Sequence, residues 1–298
     1  YEAAVCGAIP IIHTMEESLQ ANRISYLYGI MNGTTNYILS RMSREGLEYE
    51  DVLRDAQRLG LAEPEPSTDV EGYDAAYKLS ILASLAFHGH VPFDFIHVEG
   101  ITHVSQEDIR CGQELGYTLK LLAIAKRDGM RVETRVNPTF IPNNHPMANV
   151  SDAFNAVYLQ GHACGEMMFM GRGAGDMPTA SAIVSDLLRA SSTPVHRYPT
   201  FITDPDNADG LQKNDDWRCA FYVRTMAIDA PGVLSRVAAT FADHGVSIAA
   251  MQQKGEKRDG RIPMVFITHR AYEKDMQQAV REIDPAIARV ESLIRGEE

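Results

Sequence analysis

The sequence predicts an α/β (α+β) protein, a mixed-sheet domain followed by a small βαββαβ unit. Strand-like and helical runs alternate through residues 1–195. Residues 196–217 (HRYPTFITDPDNADGLQKNDDW) are rich in Pro, Asp and Asn with little apolar periodicity, as a linker would be. Residues 218–298 run strand, helix, strand, strand, helix, strand, a ferredoxin-like order. A length of 298 residues leaves room for about two domains, and 45% hydrophobic with 23% charged residues is an ordinary globular composition. The boundaries are therefore placed at 1–195, 196–217 and 218–298.

In chain order, Met15 to Arg23 reads as a short helix and ISYLYGIM (24–31) as a buried strand rich in β-branched and aromatic residues. Asn32 and Gly33 then make a turn, and Thr34 or Thr35 caps the next helix. YEDVLRDAQRLG is a helix ending at Gly60, a natural C′ residue, and LAEPEPST is a loop. TDVEGYDAAYKLSILASLAF (68–87) reads as one helix, capped by Thr68 with Glu71 reaching back, and apolar nearly all round beyond Asp74. Strands follow at FDFIHVEGI, YTLKLLAIAKRDG, RVETRVNPTFI and NAVYLQGHACGEMMFMG, then a glycine loop (Gly171 to Gly175) and the helix PTASAIVSDLLRA.

A net charge of -12 argues against a nucleic-acid partner, because phosphate binding needs a basic face. The excess lies in residues 1–217, with 29 acidic against 16 basic side chains; residues 218–298 are nearly balanced. No apolar run reaches the roughly 18–20 residues that span a bilayer, and the start carries no signal-peptide pattern, so a cytoplasmic protein is expected. Cys6, Cys111, Cys164 and Cys219 have no CxxC spacing and read as reduced core thiols. After Tyr1 and Glu2 the chain enters the apolar run AAVCGAIPII at once, which reads as the downstream portion of a longer polypeptide.

The densest chemistry is Glu63, Asp69, Asp74 and Lys78. Asp74 and Lys78 are i and i+4, one helical turn apart on one face. On a solvated helix such a pair is a weak surface ion pair. On a helix flanked by Ala75, Ala76, Leu79, Ile81 and Leu82 it must be paired or line a cavity, where a lysine beside carboxylates can donate a proton. The glycine loop before its helix suits either an anion or tight packing. Asn32 to Thr35 is open between helix cap and substrate contact, and Asp229-Ala-Pro-Gly232-Val233 between a capped turn and an amino-acid effector site.

The run from Gly60 to Lys78 (GLAEPEPSTDVEGYDAAYK), with EAAVCGAIPII, GIMNGTTNYIL, KLLAIAK and GRGAGDMPTASA, closely resembles homoserine dehydrogenase across residues 1–195. Residues 218–298 resemble an ACT domain, placed as in the monofunctional bacterial enzymes. The resemblance implies interconversion of L-aspartate 4-semialdehyde and L-homoserine with NAD or NADP, in threonine, methionine and isoleucine biosynthesis. It makes the mixed-sheet domain catalytic and dimerising, within a homodimer or homotetramer.

By position in that resemblance, Lys78 is the catalytic proton donor, Glu63 and Asp74 hold homoserine, and Asp69 orders the site. Gly60, Glu63 and Gly175 lie against the cofactor. Glu2, Val5, Gly7 and Ile9 match a structural sodium site made largely of main-chain oxygens. In the ACT domain Asp229, Gly232 and Val233 are the effector residues, with threonine the expected effector.

The resembled enzymes begin with a Rossmann domain that carries the glycine fingerprint, a second lysine and the NAD/NADP-selective residues, none of which is in this sequence. These residues alone are therefore expected to be inactive. Two other readings remain open: a catalytically inactive amino-acid-binding regulatory module, and a related amino-acid dehydrogenase.

Overall fold

The computed structural model describes residues 1–192, 210–253, 257 and 259–297. The chain divides into two units: Tyr1–Ile109 with Leu119–Pro138 and Asn143–Asp215, and Arg110–Thr118 with Thr139–Pro142 and Asp216–Glu298.

In the first unit the β-branched and aromatic run ISYLYGI forms β1 (Ile24–Ile30). The strand order is β6 (Gly165–Arg172), β5 (Phe154–Gly161), β1, β3 (Tyr117–Asp128), β4 (Arg131–Pro142). Pairing is antiparallel from β3 through β1 and β5 to β6, whereas the two-residue strands β2 (His97–Val98) and β7 (Gln212–Lys213) run parallel to β4. The sheet is thus mixed, as expected. Helices α1 (Ile11–His13), α2 (Gly33–Glu45), α3 (Tyr49–Arg58), α4 (Ser67–Val70), α5 (Tyr73–Phe87), α6 (Gln106–Glu114) and α7 (Asp176–Ser192) complete the connections. Helix α5 packs on β1 and buries Leu79, Leu82, Ala83 and Phe87, each apolar side chain larger than alanine contributing about 1.5–3 kcal/mol. Among the described residues no helix is long and apolar enough to cross a membrane.

Several elements differ from expectation. The helix expected at 15–23 starts earlier, as α1, and continues as a π turn over Thr14–Ser18. Its first amides, on Ile12 and His13, donate to the Glu2 carboxylate at 2.8 Å, so the cap is ten residues upstream, where no local pattern reports it. The single helix expected over 68–87 is two, because Gly72 adopts φ +86 between α4 and α5. Glu71 therefore does not reach back to Thr68; its carboxylate accepts from Thr102 Oγ1 at 3.1 Å. Asn32, not Thr34 or Thr35, caps α2. NAVYLQGHACGEMMFMG is a hairpin of β5 and β6 turning at residues 162–164, with Cys164 exposed there, unlike the buried Cys6, Cys111 and Cys219. FDFIHVEGI holds only a 3₁₀ turn (Phe93–Phe95) and β2.

Residues 193–209, most of the expected linker, lie outside the described residues. After them Gln212 and Lys213 pair with β4, and Trp217 is buried.

Lys120 on β3 is 3% exposed and donates to the Val150 carbonyl at 2.5 Å and Asn36 Oδ1 at 3.2 Å. Burial pushes its ammonium from the ordinary 10.5 down to about 8, against the favourable charge of Asp152. Below the folded value both states are protonated and the full cost applies; between the folded and unfolded values only the unfolded chain keeps the proton, so stability rises with pH. We expect stability to rise from pH 7 to 10 by about 2 kcal/mol more than in Lys120→Met, read by urea denaturation.

The second unit is built on β8 (Arg218–Ile228), α8 (Val233–Asp243), β9 (Ile248–Gln253), β10 (Arg261–Thr268), β11 (Ala271–Tyr272), α9 (Glu273–Glu282) and β12 (Ala288–Gly296). The sheet order β12-β8-β10-β9 is antiparallel throughout, and β11 pairs with β8. This is the βαββαβ order expected, with β11 added. Alternate residues of β8 (Cys219, Phe221, Val223, Ala227) meet Val237 and Phe241 of α8 and Met276 of α9 in one core. Phe241 and Phe266 pack edge to face at 5.4 Å.

Candidate active site

The chain leaves β1 at Ile30 and turns through Met31 and Asn32 into α2. Asn32 Oδ1 accepts the Thr35 amide at 2.9 Å, capping the helix. Its Nδ2 donates to Asp69 Oδ1 at 2.7 Å and to Asp74 Oδ2 at 2.9 Å. Lys78 Nζ donates to the same Asp74 Oδ2 at 2.7 Å and to the Met31 carbonyl at 3.0 Å. Asp69, Asp74 and Lys78 therefore form one network at the C-terminal end of β1. With Lys78 and Asp74 side chains 20% and 26% exposed, the pair is neither a solvated surface bridge nor a sealed one. Farther round α5, Tyr73 and Tyr77 are exposed, and Tyr77 stacks on Phe93 at 4.8 Å.

Glu63 stands apart from that network. Its side chain is exposed and, among the described residues, makes no hydrogen bond. Its loop is nevertheless tied to the network's turn, since Thr34 Oγ1 donates to the Leu61 carbonyl at 2.8 Å and Gln57 Nε2 to the Glu63 carbonyl at 3.2 Å. Gly60, just before it, has φ +72, and a Cβ there would meet nothing within 4 Å, so bare backbone faces open space.

The opening run forms the buried side of the site. Cys6 is fully buried, and that burial pushes its thiol up to about 11, although a hydrogen bond with the Asn155 side chain and the nearby Lys78 charge oppose the rise. Asn155, 1% exposed, lies under the glycine loop: a Cβ on Gly173 would fall 2.1 Å from its side chain, and one on Gly7 2.6 Å from the Gly173 carbonyl. Close packing accounts for Gly173, while Gly175 (φ +117) leads into α7. Neither Cys6 nor Asn155 nor the double donation by Asn32 was legible in the sequence; the first two reach the site only through tertiary packing.

At the expected cation site the Glu2 carboxylate is engaged by the Ile12 and His13 amides, and the Ile9 carbonyl accepts the Ile11 amide at 2.7 Å. The Glu2 carbonyl likewise accepts the Val5 amide at 3.5 Å, which leaves the main-chain oxygens of Val5 and Gly7, ligands of the kind a hard monovalent cation takes. In the second unit Gly232 (φ +85) is the N-cap of α8, and Lys257 Nζ lies 3.6 Å from the exposed Asp229 carboxylate. The Val233 side chain belongs to the core, which leaves Asp229 and Gly232 at the surface of that turn.

A family model described as homoserine dehydrogenase matches residues 10–188. The chain belongs to the homoserine dehydrogenase family. An ACT domain model matches residues 221–286, beyond the homoserine dehydrogenase match. The homoserine dehydrogenase of Pseudomonas aeruginosa is 43% identical over 291 residues, covering 95% of this chain and 67% of that protein. A solved homoserine dehydrogenase from Thiobacillus denitrificans superposes with a TM-score of 0.90 at 42% identity, covering 100% of this chain and 70% of that one. A hyperthermophilic archaeal homoserine dehydrogenase solved in complex with NADPH gives a TM-score of 0.57 at 28% identity, over 66% of this chain and 57% of that one. The chain thus spans about two thirds of the length of its bacterial homoserine dehydrogenase relatives.

Proposed function

We propose that this site interconverts L-homoserine and L-aspartate 4-semialdehyde, and the observation that carries the reading is the Lys78 ammonium held between Asp74 and the Met31 carbonyl. Reducing an aldehyde places negative charge on oxygen, so an ammonium fixed by two acceptors stabilises the transition state more than the ground state. Lys78 gives its proton to the aldehyde oxygen in that direction and takes the hydroxyl proton of homoserine in the other. Asp74 and Glu63 receive the substrate ammonium, and Asp69 orders Asp74 through Asn32. Glu63 completes this set once substrate draws its exposed carboxylate inward.

The cofactor of this reading is NAD or NADP, as in the archaeal relative solved with NADPH. The bare backbone at Gly60, with nothing within 4 Å of its Cβ position, suits a flat ring approaching closely, and this reading puts Glu63 and Gly175 alongside that ring. When bound, the nicotinamide supplies or accepts the hydride. Sodium is proposed at the main-chain oxygens of Glu2, Val5, Gly7 and Ile9, where it would stiffen the run that places Cys6 beneath the site.

We divide the chain into a catalytic and dimerising domain (1–195), a linker (196–217) and an ACT regulatory domain (218–298), within a cytoplasmic homodimer or homotetramer of threonine, methionine and isoleucine biosynthesis. Threonine is the proposed effector, at Asp229, Gly232 and Val233.

The test is homoserine-dependent reduction of NAD+ and NADP+ by the full-length protein, with threonine titrated into the active reaction. Turnover with either cofactor is expected, falling as threonine rises. Silence with both overturns the reaction, and an unchanged rate at saturating threonine overturns the effector.

A further inference from the structure

Asn32 carries two functions in one side chain, and only one of them is needed to cap a helix. A cap requires the acceptor alone, which Ser, Thr or Asp supplies as well. The amide adds two N–H donors to that acceptor, and here both are spent on carboxylates, Asp69 Oδ1 and Asp74 Oδ2. The network fixes the orientation of the amide, since its oxygen faces the Thr35 amide and its nitrogen faces two anions. With 6% exposure Asn32 is the buried floor on which the two acids converge.

We infer that Asn32 is the positioning residue of the site, held by Asp69 on one side and fixing which oxygen of Asp74 faces the substrate on the other. The inference rests on the reading of Asp74 as a homoserine-binding group. Asp74 Oδ2 is taken by both Asn32 and Lys78, so Asp74 Oδ1 is the oxygen left for substrate. Asp69 likewise gives Oδ1 to Asn32 and keeps Oδ2 free among the described residues. Two carboxylates side by side would repel and swing apart; a neutral amide that donates to both ties them to one point and adds no charge of its own. The preceding residue, Met31, fixes Lys78 through its carbonyl, so the β1–α2 turn aligns the proton donor and the acids together.

Asn32→Asp separates the two functions, because aspartate is an equally good cap and nearly the same shape but offers no donor. Asn32→Ser keeps a cap without adding charge. Both are measured in the full-length protein, with L-homoserine and the preferred dinucleotide, beside thermal melting and Asp74→Asn. We expect KM for homoserine to rise about 30-fold in Asn32→Asp and about 10-fold in Asn32→Ser, the scale of a charge-assisted hydrogen bond. The expected change in kcat is smaller, about threefold, with melting within about 3 °C of the parent in Asn32→Ser and lower in Asn32→Asp, where a third carboxylate meets two.

A KM within about threefold of the parent in both variants overturns the inference, and so does loss of the folded state in both, because each keeps a cap and the amide donors would then hold the fold rather than the substrate-facing oxygen. Asp74→Asn tells the two failures apart: if it too leaves KM unchanged, the reading of the site falls; if it raises KM while the Asn32 variants do not, only the positioning role falls.

Discussion

Replacing Lys78 by methionine is expected to lower kcat/KM for homoserine oxidation by about 1,000-fold or more while leaving the fold intact. General acid–base catalysis by one positioned group contributes about 10²–10⁴-fold, and the fixed positive charge at the oxygen adds to it. Methionine preserves the length and the apolar stem that Lys78 carries on α5, so melting should shift little. Asp74 loses an ion partner but keeps the Asn32 donation, and it remains partly solvated, which limits the structural cost. Arginine should not restore activity: its planar guanidinium cannot occupy the point between Asp74 and the Met31 carbonyl, and it does not release a proton near neutrality. Steady-state kinetics with a melting curve on each variant decides the matter. Near-parental turnover in Lys78→Met would remove Lys78 from the chemistry.

The largest stability effect is expected in the second unit, from Glu273→Ala. Arg295 and Glu273 are 2% and 6% exposed, and the guanidinium meets the carboxylate twice, Nη2 to Oε1 at 2.6 Å and Nε to Oε2 at 3.2 Å. Removing one member of a buried pair leaves the other charge desolvated without its partner, at a cost of about 3–5 kcal/mol. Glu273 is also the first residue of α9, so its loss removes a favourable charge from the N-terminal turn. Unfolding of the second unit in urea should move to lower concentration by that amount. A shift equivalent to under about 1 kcal/mol would mean that water or another group takes over the Arg295 donors.

What the sequence disclosed was whatever repeats locally. The β8–α8–β9–β10–α9–β12 order is legible because each element carries its own period and each turn its own Gly or Pro. Asp74 and Lys78 are legible as a pair because helical spacing places them on one face. Helix α6 escaped the reading although Ser105 and Asp108 form a reciprocal cap, Asp108 accepting from Ser105 and its amide donating to Ser105 Oγ. That S-x-x-D spacing was present in the sequence and is the signal that would have found it. Other features were out of reach in principle. The cap of α1 by Glu2 spans ten residues, Asn155 lies under Gly173 only after β5 and β6 have paired, and Asn32 meets Asp69 across 37 positions. No window along the chain contains such contacts.

The left-handed residue between α4 and α5 sets the phase of the site. In one continuous helix, residues five apart point about 140° away from each other, so Asp69 and Asp74 could not both face one amide. Gly72 at φ +86 interrupts the winding and restarts it, so that both carboxylates arrive on the same side. The Gly100 backbone leaves no freedom in that restart, since even a methyl group there would fall 2.3 Å from the Val70 carbonyl. The number of residues between the two acids is thus a geometric constant of the site. One residue more or fewer would rotate one carboxylate out of register while leaving both acids present in the sequence.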